Sequence, residues 1–224
     1  MTEKLVTEYA WQGAKRGVAR VTDRAVLLAH GAGADMHAGA LTAVADALSA
    51  CGIPSLRFNY PYRTAGRNAP DSPKKLDAAT SEAAAQLARR AKLPPERLVL
   101  GGRSMGGRYC SMVVGAEEDP VPALGLLMLG YPLHPAGKPD QLRVEHFPRI
   151  TVPVLFVSGT RDSLAAKPAL TAAARTIRGA RTFHWLDTAD HGFRPLKSSG
   201  LTPTEVLDDV GGFSAEWVRQ LEPS

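Results

Sequence analysis

Uninterrupted apolar runs alternate along this chain with stretches whose apolar residues recur at helical spacing, and no other feature constrains the fold as much. Ala25–Ala29, Leu98–Gly101, Ala123–Leu129 and Val152–Ser158 lack the polar alternation of a half-solvated strand, so strands made from them are buried on both faces. Ser55–Asn59 and Arg181–Leu186 are further strand candidates, as are Lys4–Ala10 and Gly17–Val21 near the start. Helices fit at Ala38–Ala50, Lys74–Ala91, Met105–Ala116, Pro168–Ile177 and Pro203–Leu221. This order predicts an α/β fold: a mostly parallel central sheet with an antiparallel start and helices on both faces. Ligands bind such sheets at the carboxyl ends of the strands.

With 224 residues and no Pro/Gly/Ser-rich linker, residues 1–224 read as a single domain. No stretch approaches the length of a membrane span, and the start, Met1-Thr2-Glu3-Lys4-Leu5, does not read as a signal peptide. Cys51 and Cys110 lie far apart without a C-x-x-C or a nearby histidine cluster, which predicts buried free thiols, no metal, and a reducing cytoplasm. The net charge of +5 raises nucleic acid as a partner. Its distribution argues against that: Arg63, Arg67, Lys74, Lys75, Arg89, Arg90 and Lys92 are interspersed with Asp71, Asp77, Glu82 and Glu96, the pattern of a solvated surface.

Gly102-Arg103-Ser104-Met105-Gly106 follows the run Leu98-Val99-Leu100-Gly101 and opens a helix-compatible stretch. A serine between strand and helix, flanked two residues away by glycines, is the nucleophile elbow, whose tight turn lifts the hydroxyl above the sheet. Such a serine needs a base and an orienting acid, in the chain order serine, carboxylate, histidine. Asp162 stands just beyond the run Val152–Ser158 and is the candidate acid; His191 lies beyond Arg181–Leu186 and is the candidate base. Asp190 is adjacent to His191, where neighbouring side chains diverge, and fits loop capping better. His184 sits within a strand and His30 precedes the serine.

The loop His30-Gly31-Ala32-Gly33-Ala34 follows a buried strand at the same edge, so the backbone N–H groups of Ala32 (Gly33 as alternate) and Met105 are the expected oxyanion donors. A dinucleotide loop is disfavoured because position 36 is Met36, which breaks G-x-G-x-x-G, and the Lys-Ser/Thr ending of a P-loop is missing.

His30-Gly31-Ala32-Gly33, Arg57-Phe58-Asn59-Tyr60-Pro61, Gly102–Arg108, Gly159-Thr160-Arg161-Asp162 and Asp190-His191-Gly192 together resemble the α/β-hydrolases, in particular the small lidless enzymes of the dienelactone-hydrolase-like branch. Gly130–Pro139 and Leu142–His146 further resemble the domain shared with an NSL-complex subunit and a testis-expressed protein. The resemblance implies an α/β-hydrolase fold without a large cap domain. Dienelactone hydrolases proper use a cysteine nucleophile where this chain has Ser104, so dienelactone is not implied as substrate.

Tyr131 to Arg149 is a proline-broken segment of the length that binding loops take, which makes Tyr131 and His134 candidate substrate contacts. Arg103, Arg108, Arg161 and Arg57 cluster near the same edge, and Arg103 is the candidate reader of a carboxylate on the substrate, in competition with a bracing role. The expected activity is that of a serine hydrolase acting on a small carboxylic ester or thioester without a cofactor. Alternatives are an interaction module that kept the elbow without turnover, and perhydrolase or peptidase chemistry on the same residues.

Overall fold

The computed structural model describes residues 7–222. Its strands are β1 (Glu8–Gln12), β2 (Ala25–Ala29), β3 (Ser55–Asn59), β4 (Leu98–Arg103), β5 (Gly125–Leu129), β6 (Val154–Gly159) and β7 (Arg181–Leu186). Its helices are α1 (Gly39–Ala50), α2 (Pro61–Thr64), α3 (Pro73–Ala91), α4 (Met105–Val114), α5 (Lys167–Ala173) and α6 (Pro203–Gln220). The strands form one sheet in the order β1-β3-β2-β4-β5-β6-β7; β1 runs antiparallel to β3 and the other pairs are parallel.

Burial explains the uniform apolar runs. Successive residues of a strand face opposite sides of the sheet, and here each side is covered. Leu27 and Leu100 pack on the side of α3 and α4 with Ala83, Leu87 and Cys110, whereas Val26, Leu28 and Val99 pack on the side of α1 and α6 with Leu41, Val44 and Val210. All of β2 is buried, so either face of any polar substitution there would lack solvent.

Three expectations require correction. Gly17–Val21 forms no strand: residues 15–20 are exposed, Gly17 takes φ +83°, and the Val21 N–H bonds the Gly52 carbonyl instead of a sheet neighbour. The strand expected at Lys4–Ala10 is found as Glu8–Gln12, and Lys4–Val6 lie outside the described residues. Cys110 is buried as expected, but Cys51, which ends α1, is only half-buried; both are free. Among the described residues no helix is long and apolar enough to cross a membrane.

Candidate active site

The parallel register puts Ala29 beside Gly102, so β2 and β4 end together at one edge of the sheet. A Cβ on Gly102 or Gly106 would run into the Ala29 carbonyl, so only glycine lets α4 turn back this close to β2. Ser104 takes φ +50°, a conformation that costs a non-glycine residue free energy. Its N–H is tied to the Leu129 carbonyl at 2.9 Å and its own carbonyl accepts from Arg108 N–H at 3.0 Å, which anchors the strained turn on both sides.

Ser104 Oγ lies 3.0 Å from Nε2 of His191, and Nδ1 of His191 lies 2.8 and 2.9 Å from the two carboxylate oxygens of Asp162. The structure therefore brings together three residues that are far apart in sequence. Asp162 leaves β6 at Gly159, where a Cβ would collide with the Ala189 carbonyl, so the loop carrying His191 can lie directly against the end of that strand. Thr160 N–H to Leu186 O at 3.0 Å, Arg161 N–H to Ala189 O at 2.9 Å and Thr188 N–H to Thr160 Oγ1 at 2.9 Å join the two loops. The Asp162 side chain is fully buried and also accepts from Leu164 N–H at 2.8 Å, leaving the carboxylate little freedom to rotate away from the imidazole. Asp190 accepts from Gly192 N–H at 2.7 Å and Arg194 N–H at 3.0 Å, closing the loop on itself, and makes no bond to the His191 ring.

Gly31 is close enough to Ser104 that a Cβ there would stand 3.5 Å from the serine Cβ. Among the described hydrogen bonds, neither Ala32 N–H nor Met105 N–H has a partner. Met105 is the first residue of α4, whose leading N–H groups have no acceptor within the helix. The buried His30 fixes the Gly31–Ala32 peptide: its Nε2 accepts from Tyr60 N–H at 3.1 Å, so its proton resides on Nδ1 and is donated to the Gly31 carbonyl at 2.8 Å. Burial lowers the His30 pKa and favours this neutral form.

A cavity of about 510 Å³ opens over Ser104 and His191, walled by Ala32, Ala38, Phe193, Pro203 and Leu207, with the exposed Arg194 at its rim. This falls within the usual range for small-molecule sites. The apolar wall from α6 was not foreseen, and the only sequence signal for it was the helix start at Pro203. A second cavity, of about 410 Å³, lies between Asp77, Arg108, Met112 and His146 and contains none of the three residues above. Among the described residues no three His, Cys, Asp or Glu side chains are grouped as a metal site.

The expected substrate contacts fare differently. Tyr131 is fully buried against Phe147 and Phe156 and donates its hydroxyl to the Arg143 carbonyl at 2.6 Å, so it holds the 131–149 segment and does not face the cavity. His134 is buried too, with Nδ1 at 2.9 Å from the Pro135 carbonyl. Arg103 borders the cavity, but its guanidinium is spent on the carbonyls of Leu129, Gly130 and His191. Arg57 bonds Met36 O and Arg161 bonds Thr188 O, so these two brace loops as well.

The chain belongs to the family described as "Alpha/beta hydrolase domain", which matches residues 22–219. Three solved structures share its fold. An alpha-beta serine hydrolase homologue from Coxiella burnetii superposes with a TM-score of 0.72 at 16% identity, covering 96% of this chain and 92% of that one. A dienelactone hydrolase from Anabaena variabilis gives 0.66 at 16% identity, covering 96% and 98%. The esterase domain of a Rhodothermus marinus protein gives 0.63 at 18% identity, also covering 96% and 98%. The chain thus has a small α/β-hydrolase fold, with no cap domain among the described residues.

Proposed function

We propose that the protein is a serine hydrolase that cleaves a small carboxylic ester or thioester through an acyl-enzyme, with Ser104 as nucleophile, His191 as general base and Asp162 as the group that orients the imidazole. The observation that carries this reading is the continuous relay from Ser104 Oγ through both nitrogens of His191 to the buried Asp162 carboxylate. The Rhodothermus structure is named as an esterase domain and the Coxiella structure as a serine hydrolase homologue, which supports the same reading here.

The chemistry follows from the donors and acceptors. With its proton on Nδ1, facing Asp162, His191 presents a lone pair at Nε2 to the serine hydroxyl. As Oγ bonds the substrate carbonyl carbon, its proton passes to Nε2, and the imidazolium so formed is stabilised by the carboxylate. The N–H groups of Ala32 and Met105, which have no partner among the described hydrogen bonds, are free to receive the oxyanion, each worth about 10²–10³ in turnover at comparable sites. Collapse breaks the bond to the leaving alcohol or thiol, which departs with the proton from Nε2. Water then gives its proton to Nε2, attacks the acyl carbon, and the acid leaves as Oγ recovers the proton. The half-buried and buried thiols support an intracellular, reducing setting.

Hydrolysis of a short neutral aryl ester tests the assignment. Wild type is expected to turn over, Ser104→Ala and His191→Ala to lose activity by several orders of magnitude, and Asp162→Asn by about 10³–10⁴-fold because the amide favours the wrong tautomer. Full activity in any of these three variants contradicts the proposal.

A further inference from the structure

Arg103 is the first of the two variable residues of the Gly-x-Ser-x-Gly turn, and its side chain is the most heavily engaged guanidinium at this edge of the sheet. Its Nη1 lies 3.4 Å from each of the Leu129 and Gly130 carbonyls, at the end of β5, and its Nη2 donates to the main-chain carbonyl of His191. The face of the group covers the Phe193 ring at 4.7 Å. Gly130 has φ +59°, and a Cβ there would stand 2.7 Å from Nη1, so the strand end is shaped around this side chain.

Every one of these acceptors belongs to a segment that carries part of the proposed machinery. Leu129 O also receives the Ser104 N–H at 2.9 Å, so a single carbonyl connects the nucleophile's backbone to the guanidinium. The Phe193 and His191 contacts belong to the loop that presents the base. Nη1 further lies 3.4 Å from His191 Nε2. A guanidinium only donates, so this contact is favourable only when Nε2 carries its lone pair, in the Nδ1-protonated tautomer that the Asp162 carboxylate also favours. Among the described residues no carboxylate forms an ion pair with Arg103. Burial draws its pKa down to about 10, with the charges of Asp162 and Asp190 opposing that shift. A group with these contacts is not free to turn into the cavity toward a substrate.

We propose that Arg103 is a positioning residue for the hydrolysis assigned above: its guanidinium straps the His191 loop to the end of β5 and holds Nε2 within hydrogen-bonding distance of Ser104 Oγ. The idea rests on that assignment of His191. A misplacement of about 1 Å costs up to about 10²-fold in rate, which sets the scale of the effect.

The test is steady-state kinetics of Arg103→Ala and Arg103→Lys on a neutral aryl ester and on one bearing a carboxylate, with and without millimolar guanidinium chloride, well below denaturing levels. For Arg103→Ala the expected result is a fall in kcat of about 10- to 100-fold with KM little changed on both esters. Guanidinium restores much of that kcat and methylammonium does not, because only the planar fork fits the vacated carbonyls. Arg103→Lys, which keeps a donor and the packing stem, is expected to fall in between and serves if the alanine variant does not fold. A purely structural brace would lower the melting temperature without a kcat loss in folded protein. That outcome, wild-type kcat in both variants, or a KM increase confined to the carboxylate ester overturns the proposal. Failure of the underlying assignment is distinct, since the Ser104→Ala variant would then keep the activity of wild type.

Discussion

At the scale of single residues, the chemistry of this molecule depends on polar groups whose protonation is fixed by burial. His146 is the clearest case outside the candidate site. Ser111 gives its hydroxyl proton to Arg108 O at 2.7 Å and so accepts from Nε2 of His146 at 2.8 Å. Burial, with help from Arg108 and Arg149, draws the His146 pKa from 6.5 to about 4. The unfolded chain therefore takes up this proton below about pH 6.5 while the folded protein resists until about pH 4, so the contribution to stability is lost as pH falls through that window. The full difference is on the order of 3 kcal/mol. Denaturant unfolding between pH 7 and pH 4 is expected to show declining stability in wild type and a shallower decline in His146→Gln. Identical slopes would mean that His146 titrates freely.

At the scale of elements, the cavity over Ser104 is bounded where the first turns of α1 and α6 meet, with Gly39 so close to Leu207 that a Cβ would stand 3.3 Å from it. The start of α6 is set by Thr202, whose hydroxyl accepts from Glu205 N–H at 3.2 Å while the Glu205 carboxylate accepts from Thr202 N–H at 2.7 Å. Removing that box by Thr202→Ala is expected to cost about 1 kcal/mol. For a chain of this size that lowers the melting temperature by roughly 2–4 °C. Because α6 supplies cavity wall and not the Ser104–His191–Asp162 relay, kcat should stay near wild type, as thermal unfolding and ester kinetics on the same preparation would show. A large loss of kcat would mean that α6 also holds the relay in place.

The elements were also where the sequence was most readable. Ala25–Ala29, Ser55–Asn59 and Arg181–Leu186 are strands with the bounds expected: the first is buried throughout and so is written as an apolar run, whereas the other two keep polar residues and are marked by apolar, β-branched and aromatic residues set among them. Gly17–Val21 has strand-like composition but no neighbour to pair with, a fact that local pattern does not contain. The short α2 at Pro61–Thr64 escaped for the opposite reason, being one turn set by Pro61 after β3. Side-chain direction was least readable. Tyr131 was expected to overlook Ser104, yet Gly130 at φ +59° turns the chain so that its ring enters the core. Arg103 is a candidate for the substrate by its place beside the serine in sequence; only the folded positions of Gly130 and His191 reveal what occupies its donors.

At the scale of the whole molecule, the fold solves one geometric problem: it converges residues separated by strands and helices on one edge of a sheet. The parallel order places the ends of β2, β4, β5 and β6 side by side, so the loops after them bring Ala32, Ser104, Gly130 and Asp162 together, and the loop after β7 adds His191. Rigid strands covered on both faces suit this purpose, since a productive site requires tolerances of a fraction of an ångström. The measurement that tests the central claim most directly is covalent labelling with a fluorophosphonate, followed by mass spectrometric mapping of the modified peptide. The account predicts stoichiometric labelling of Ser104 in wild type and none in Ser104→Ala of unchanged melting temperature. Labelling of a different serine, or no labelling of folded wild-type protein, would contradict it.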